Sequence, residues 1–244
     1  MTDGVLQIEP VAYIRTDFAE KFGLPRQSGL VPELKGEIVF QPAYGTPDAV
    51  RGLEAFSHIW LIWGFHAAEK QPGKGWSATV RPPRLGGNVR VGVFASRAPF
   101  RPNPLGMSCV RLDAVITDAQ PVRLLVSGID LLDGTPIYDI KPYIPVADCR
   151  PEAAEGYTAA TRQHRMQVIF PAELLAVLPA EKREAAAALL AQDPRPGYAD
   201  DPRRIYGVCF SGYDIRFRAA ENTLTVCSVR TADGKEYQSN GKAL

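Results

Sequence analysis

Short apolar runs separated by glycine and proline dominate the first 145 or so residues of this chain of 244. Such runs, bounded by turn-forming residues, are typical of β-strands. The candidate strands are residues 5–14, 36–40, 58–65, 89–95, 108–116 and 122–129. The run 58–65 is almost continuously apolar, which predicts burial on both of its faces.

The spacing of these strands leaves little room for helices. Only residues 47–56 read as an early helix, and a doubly wound parallel sheet would need a helix of about a dozen residues between successive strands. Several closely spaced strands with few helices favour a closed or nearly closed β-barrel. We therefore predict a mainly β protein.

The composition changes near residue 147, where a polar segment rich in Ala and Glu begins. We interpret residues 147–164 as a linker between a barrel domain, 1–146, and a small α+β domain, 165–244. In the second domain the pattern predicts helices at 171–178 and 180–192 and strands at 165–170, 204–210, 213–218 and 223–230. Ser211-Gly212 is a hairpin turn signal, and the polar tail after Ala232 is expected to be loose.

Bulk properties exclude several classes of protein. No apolar run approaches the roughly 18 residues of a membrane span, and the N-terminus lacks a signal-peptide pattern. The four cysteines are widely separated, without a Cys-x-x-Cys pair, which favours reduced thiols in a cytoplasmic protein. The three histidines show no metal-ligand spacing, so we expect neither a metal nor a membrane partner.

The basic residues are concentrated in one stretch, although the formal net charge is only +1. No acidic residue lies between Glu69 and Asp113, whereas the stretch contains Lys70, Lys74, Arg81, Arg84, Arg90, Arg97, Arg101 and Arg111. Within it, residues 97–106 include three prolines, which fix φ and remove backbone donors. A stiff loop carrying two arginines favours a binding role over a merely solvated loop.

Common catalytic motifs are missing from the sequence. There is no Gly-x-Gly-x-x-Gly, no phosphate-binding loop spacing and no Gly-x-Ser-x-Gly. Four segments remain as candidates: 21–27, 64–66, 97–106 and 130–143. The last has three carboxylates in ten residues, more than its Asp133-Gly134 turn needs; they could hold the arginines or receive a cationic or hydroxyl-bearing ligand.

Together these segments, with 60–65, 92–97, 193–198 and 213–217, resemble the TsaA/TrmO family. The resemblance implies an S-adenosylmethionine-dependent tRNA methyltransferase that N6-methylates threonylcarbamoyladenosine at position 37 of the anticodon loop. It also implies a single-sheet N-terminal β-barrel, a small C-terminal domain that contacts tRNA, and a homodimer. Two readings stay open beside it: a non-catalytic nucleic-acid-binding barrel, and a methyltransferase acting on a small molecule.

The resemblance also implies a set of site residues. Those expected to bind the cofactor are Pro25, Arg26, Gln27, Phe65, His66, Arg97, Leu105, Met107, Asp130, Leu131, Leu132, Asp133, Gly134 and Thr135. Those expected to bind the tRNA substrate are Arg101, Asn103, Asp139, Lys141, Tyr143, Arg195 and Tyr198. Methyl transfer is an in-line displacement that depends mainly on positioning, so no catalytic residue is assigned and the acceptor of the N6 proton is left open.

Overall fold

A computed structural model of the chain describes residues 6–66, 76–82, 85, 88–161, 165–195 and 201–239. In the first half the strands are β1 Ala12–Thr16, β2 Lys35–Phe40, β3 His58–Gly64, β4 Thr79–Val80, β5 Val91–Gly92, β6 Leu105–Ile116, β7 Arg123–Ser127 and β8 Thr135–Pro142. Six of them close into a barrel in the order β1-β2-β7-β6-β3-β8, and every pair in it is antiparallel. The predicted mainly β class and the N-terminal single-sheet barrel are confirmed.

Side chains that point alternately inward and outward along each strand fill the interior of the barrel. Inward-facing residues such as Ile14, Ile38, Ile59 and Leu124 are completely buried, as the two-residue period of a strand requires. In β3 this alternation contradicts the predicted burial on both faces, because Trp60 keeps part of its surface in solvent while Ile59 does not. The apolar outer residues of β3 therefore form a partly exposed face.

The strand β8 was missing from the predicted set, because Asp133-Gly134 and Pro136 read as a turn. Gly134 does adopt a left-handed φ of 72°, but the turn ends there and Thr135 begins the strand. Pro136 is tolerated close to the start of the strand, where it faces Tyr13 of β1. By pairing with both β1 and β3, β8 closes the barrel.

Three other predicted elements differ from those observed. Of the run 5–14, the described part contributes residues 12–14 to β1, which continues to Thr16. The predicted helix 47–56 is a pair of 3-10 turns, Pro47–Val50 and Leu53–Ala55, because Gly52 between them has a left-handed φ of 84°. The run 89–95 is not a barrel strand: among the described residues β5 pairs with β4 alone, and a 3-10 turn, Val93–Ala95, follows it.

The second half contains helices α1 Pro145–Asp148, α2 Ala172–Leu175 and α3 Ala180–Leu190, with a 3-10 segment at Gly156–Thr161. Its strands are β9 Gln167–Ile169, β10 Tyr206–Phe210, β11 Tyr213–Ala220, β12 Thr223–Arg230 and β13 Glu236–Gln238. The sheet order is β10-β11-β12-β13, and β9 runs parallel to the first half of β12. The tail predicted to be loose thus contributes β13, and the predicted linker contains short helical turns.

The segment that follows β1 joins the barrel to the second sheet. Phe18 packs against Phe210 of β10 with ring centroids 5.5 Å apart, and both side chains are completely buried. Lys182 Nζ of α3 lies 2.5 Å from Asp17 Oδ2, and the Ser211 amide donates to the Asp17 carbonyl. These contacts fix the start of the segment that carries residues 21–27. Within the described part of the chain, no helix is long and apolar enough to span a membrane.

Candidate active site

A cavity of about 170 Å³ lies among the segment after β1, the end of β3, the loop 97–104 and the turn before β8. We call it the Asp130 cavity. Its walls consist of Lys21, Leu24, Trp63, Phe65, His66, Pro99, Asp130, Leu131, Leu132 and Thr135. The structure therefore brings together six residues predicted to bind the cofactor: Phe65, His66, Asp130, Leu131, Leu132 and Thr135.

An aromatic wall forms one side of this cavity. The rings of Trp63 and Phe65 meet edge to face, with centroids 4.4 Å apart. Trp63 lies against the backbone of Gly106, its partner in β6. A Cβ atom at position 106 would be 2.3 Å from the Trp63 ring, so only glycine allows the indole to take this place.

A chain of hydrogen bonds fixes the carboxylate of Asp130. Trp63 Nε1 donates to Ser108 Oγ at 2.9 Å, and Ser108 Oγ donates to Asp130 Oδ1 at 2.7 Å. Ser108 is 1% exposed, whereas Asp130 is only partly buried. The buried serine therefore orients a carboxylate that solvent still reaches.

The surroundings of Asp130 raise its pKa. Burial raises its pKa from the ordinary 3.8 to about 6, although the hydrogen bond from Ser108 and the charge of Arg97 both lower it. Desolvation disfavours the charged form of a carboxyl group. Perturbed carboxyl groups in clefts are candidates for functional sites, and this one lines the cavity that holds six of the fourteen predicted cofactor residues.

The loop 97–104 has one exposed arginine and one that is held in place. Arg97 Nη1 donates to Gln27 Oε1 and the side chain stays exposed. Arg101 Nη1 donates to the carbonyl oxygens of Val93 and Ser96 at 3.0 and 2.7 Å. Arg101 therefore braces the loop, whereas Arg97 carries its charge beside the Asp130 cavity.

A second cavity of about 240 Å³ shares Lys21 and Leu24 with the first. We call it the Arg195 cavity; Pro25 and Arg26 line it on the barrel side, and Arg195 lines it on the other. Arg195 pairs with Asp193 through Nε at 2.8 Å, and its side chain is only 10% exposed. Arg26 Nη2 donates to the carbonyl of Arg195 at 3.3 Å, so two sequence segments 169 residues apart meet here.

Comparison with known proteins matches both halves of the chain. The model of the tRNA-methyltransferase O N-terminal domain matches residues 13–149, and that of the TrmO C-terminal domain matches residues 163–232. The chain is 44% identical over 223 residues to the Escherichia coli K12 tRNA (adenine(37)-N6)-methyltransferase, covering 88% of this chain and 94% of that one. The chain belongs to the TrmO family.

Other TrmO-family proteins agree in sequence and in shape. The Eikenella corrodens tRNA (adenine(37)-N6)-methyltransferase is 44% identical over 181 residues, which are 74% of this chain and the whole of that one. The crystal structure of TrmO from Pseudomonas aeruginosa superposes with a TM-score of 0.73 at 34% identity, covering 92% of this chain and 98% of that one.

Several predicted cofactor residues lie outside both cavities of this TrmO-family chain. Leu105 and Met107 are exposed on the outer face of β6, because the alternation that turns Ser108 inward turns them outward. Asp133 and Gly134 form the turn before β8: Asp133 Oδ1 accepts from the Thr16 amide, and the Gly134 amide donates to the carbonyl of Ile14. This turn holds its two neighbours, Leu131 and Leu132, at the cavity wall.

The predicted tRNA-binding residues are more scattered. Lys141 and Asp139 form an exposed ion pair at 2.9 Å on β8, and Tyr143 packs beside Trp60. Asn103 is exposed in the loop that precedes β6. Arg195 lines the Arg195 cavity, to which none of these four residues contributes. Tyr198 lies outside the described residues, as do Lys70, Lys74 and Arg84 of the basic stretch.

Four cavity residues were absent from the predicted site set: Lys21, Leu24, Trp63 and Pro99. Ser108 was also missed, since it appeared only as the first residue of a predicted strand. The two-residue period of β6 was the available signal, because it separates Ser108 from Met107 by face. No signal in the sequence places Lys21 between two cavities, since that depends on how the chain packs after β1.

Proposed function

We propose that this TrmO-family protein transfers the methyl group of S-adenosylmethionine to N6 of adenosine 37 in tRNA, with N6-threonylcarbamoyladenosine as the preferred acceptor. The observation that carries the proposal is the Asp130 cavity of this family member, which has an aromatic wall and an oriented carboxylate. The charge of Arg97 acts on that carboxylate from beside the cavity.

The residues present fit the cofactor. Aromatic faces suit a sulfonium cation, and Trp63 and Phe65 supply them. The two adjoining cavities, of about 170 and 240 Å³, together reach the range of roughly 300–1,000 Å³ that is usual for small-molecule sites. S-adenosylmethionine supplies the electrophilic methyl group. The chain itself has to orient donor and acceptor, and the Trp63–Ser108–Asp130 hydrogen bonds give one wall a fixed geometry.

Arg97 is the residue that we assign to the acceptor base. The threonyl group of threonylcarbamoyladenosine carries a carboxylate, which an exposed guanidinium can meet with two parallel hydrogen bonds. Arg101 is less suited than expected, because two main-chain carbonyls already hold its guanidinium. The basic residues of the stretch 81–111 would follow the phosphate backbone of the anticodon arm.

We propose that the protein is a homodimer and that it acts in the cytoplasm. A partly exposed apolar face on β3 and β6 supports the dimer: Leu105 and Met107 are exposed there by 38% and 48%, and Ile62 pairs with Met107 in the sheet. Four free thiols and a tRNA substrate support the compartment. Sedimentation velocity of the wild type, compared with Met107→Glu, tests the dimer; a monomer in both contradicts it.

Transfer of a tritiated methyl group tests the activity. We expect label to enter tRNA that contains threonylcarbamoyladenosine, and to enter the unmodified transcript at least tenfold more slowly. Label in the free nucleoside at the same rate as in tRNA would favour a small-molecule methyltransferase. Binding of tRNA without any transfer would favour a non-catalytic barrel.

A further inference from the structure

Methylation of N6 in the carbamoylated base releases one proton, because that nitrogen carries a single hydrogen before the reaction and none after it. The lone pair of N6 is delocalised into the purine ring and the carbamoyl group. A base that takes the proton during the reaction therefore raises the nucleophilicity of N6. Such assistance is typically worth about 10²–10⁴-fold in rate.

Asp130 is the one carboxylate among the described residues that line the Asp130 cavity. Ser108 fixes Oδ1 with a short hydrogen bond, and Ser108 is fixed in turn by the Trp63 indole. An ionised carboxylate offers about four acceptor positions. The bond from Ser108 and the backbone hydrogen bonds of Asp130 and Ser28 therefore leave it able to accept another proton. The partial burial of Asp130 provides a path to solvent.

Among the described residues, three other charged or titratable groups share the cavity of Asp130 or act on it. Lys21 and His66 line the same cavity, and Arg97 acts on Asp130 through its charge. A carboxyl group with a pKa of about 6 is ionised at neutral pH and close to the ideal for accepting a proton there. His66 is exposed, whereas Asp130 is oriented by a buried serine.

We propose that Asp130 is the catalytic residue that takes the proton from N6, an inference that rests on the proposed function. As the N6–C bond forms, the S–C bond of the methyl donor breaks and its electron pair stays on sulfur. The N6–H bond breaks, and its proton passes to a carboxylate oxygen of Asp130. The resulting carboxylic acid returns the proton to solvent. Ser108 is a positioning residue in this step.

The test compares kcat/KM as a function of pH for the wild type, Asp130→Asn, Ser108→Ala and Ser127→Ala. Ser127→Ala is the matched control, because this buried serine donates to Asp113 at 3.1 Å, outside the cavity. Methyl transfer by the wild type is measured first, so that the proposed function is established separately.

The wild type should lose activity below a midpoint near pH 6, the pKa of Asp130. Asp130→Asn should lower the rate at least about 100-fold and remove this acidic limb, with the affinity for S-adenosylhomocysteine unchanged within about twofold by calorimetry. Ser108→Ala should shift the midpoint upward, because it removes a hydrogen bond that lowers the pKa. Ser127→Ala should leave the profile unchanged.

A readout that does not depend on activity is the titration of the Asp130 carboxyl carbon by ¹³C NMR in the unliganded protein, with a midpoint near pH 6. Three results would overturn the proposal: an acidic limb that persists in Asp130→Asn, a limb that disappears in His66→Gln instead, or a rate in Asp130→Asn above a tenth of the wild type. A tenfold loss of S-adenosylmethionine affinity with no loss for S-adenosylhomocysteine would show that Asp130 pairs with the sulfonium instead.

Discussion

Replacing Asp130 with asparagine should make the stability of this protein less sensitive to pH. Asparagine keeps the shape of the side chain and an acceptor for the Ser108 hydroxyl, but it cannot ionise. In the wild type, burial raises the pKa of Asp130 to about 6, against an ordinary value of 3.8. The folded state therefore holds this proton more tightly than the unfolded state does.

The sign and size of the effect follow from linkage. As pH rises from 4 to 8, the unfolded chain ionises first, so the free energy of unfolding of the wild type falls relative to that of the variant. A shift of about two pH units corresponds to about 3 kcal/mol at 1.36 kcal/mol per unit. This destabilisation is fully present at pH values above the pKa of Asp130 in the folded state, and it is absent well below the pKa of Asp130 in the unfolded state.

Urea titrations at several pH values measure this difference, with tryptophan fluorescence as the signal from the first half of the chain. We expect the wild type to lose about 2–3 kcal/mol relative to Asp130→Asn between pH 4 and pH 8. Ser108→Ala should extend the loss to higher pH, since it removes a bond that lowers the pKa. The argument that burial sets the pKa of Asp130 would be refuted by either of two results. The difference in free energy of unfolding between the wild type and Asp130→Asn could be independent of pH, or the wild type could become more stable than the variant as pH rises.

Three further outcomes are expected. Gly106→Ala should lower the free energy of unfolding by about 1–3 kcal/mol and alter the near-ultraviolet circular dichroism of the Trp63 indole. In the control Gly92→Ala the added Cβ meets nothing within 4 Å, so the free energy of unfolding should change by less than about 0.5 kcal/mol. Equal effects of the two substitutions would contradict the close contact between Gly106 and Trp63. Arg97→Ala should lower kcat/KM for tRNA at least about tenfold, whereas the control Arg51→Ala, at an exposed arginine, should not. Filter binding and methyl-transfer rates are measured for both variants. Similar losses in the two would show that Arg97 is not part of the site. Phe210→Ala should destabilise the protein by about 3–5 kcal/mol and lower the urea concentration at which the fluorescence of the barrel tryptophans reports half unfolding. An unchanged urea midpoint would show that the barrel and the second sheet unfold independently.

The parts of the fold that follow a simple period were predictable from sequence. The strand β12 was predicted with both of its ends correct, and β3 and β7 within a residue or two, because apolar runs bounded by turn residues define them. The strand β8 escaped because its first residues have turn chemistry, and its pairing with β1 depends on contacts distant in sequence. Local propensity does not report such pairing.

The sequence predicted which segments of the chain form the candidate site better than it predicted which side chains in them line the cavity. Residues 130–132, Thr135 and residues 65–66 were expected together and line one cavity. Leu105 and Met107 were expected beside them, yet the alternation of β6 places them on the opposite face from Ser108. Arg195 was expected at an RNA-facing loop, and its buried pairing with Asp193 beside Arg26 arises from packing between the two halves of the chain.

Nucleoside mass spectrometry tests the central claim most directly. The purified protein is incubated with trideuteromethyl S-adenosylmethionine and with tRNA that contains threonylcarbamoyladenosine, and fragments spanning position 37 are analysed. The account predicts one trideuteromethyl group on the threonylcarbamoyladenosine at position 37, formed by the wild type and at least about 100-fold more slowly by Asp130→Asn. Label on another nucleoside, or intact tRNA that gains no label from the folded wild type, would contradict it.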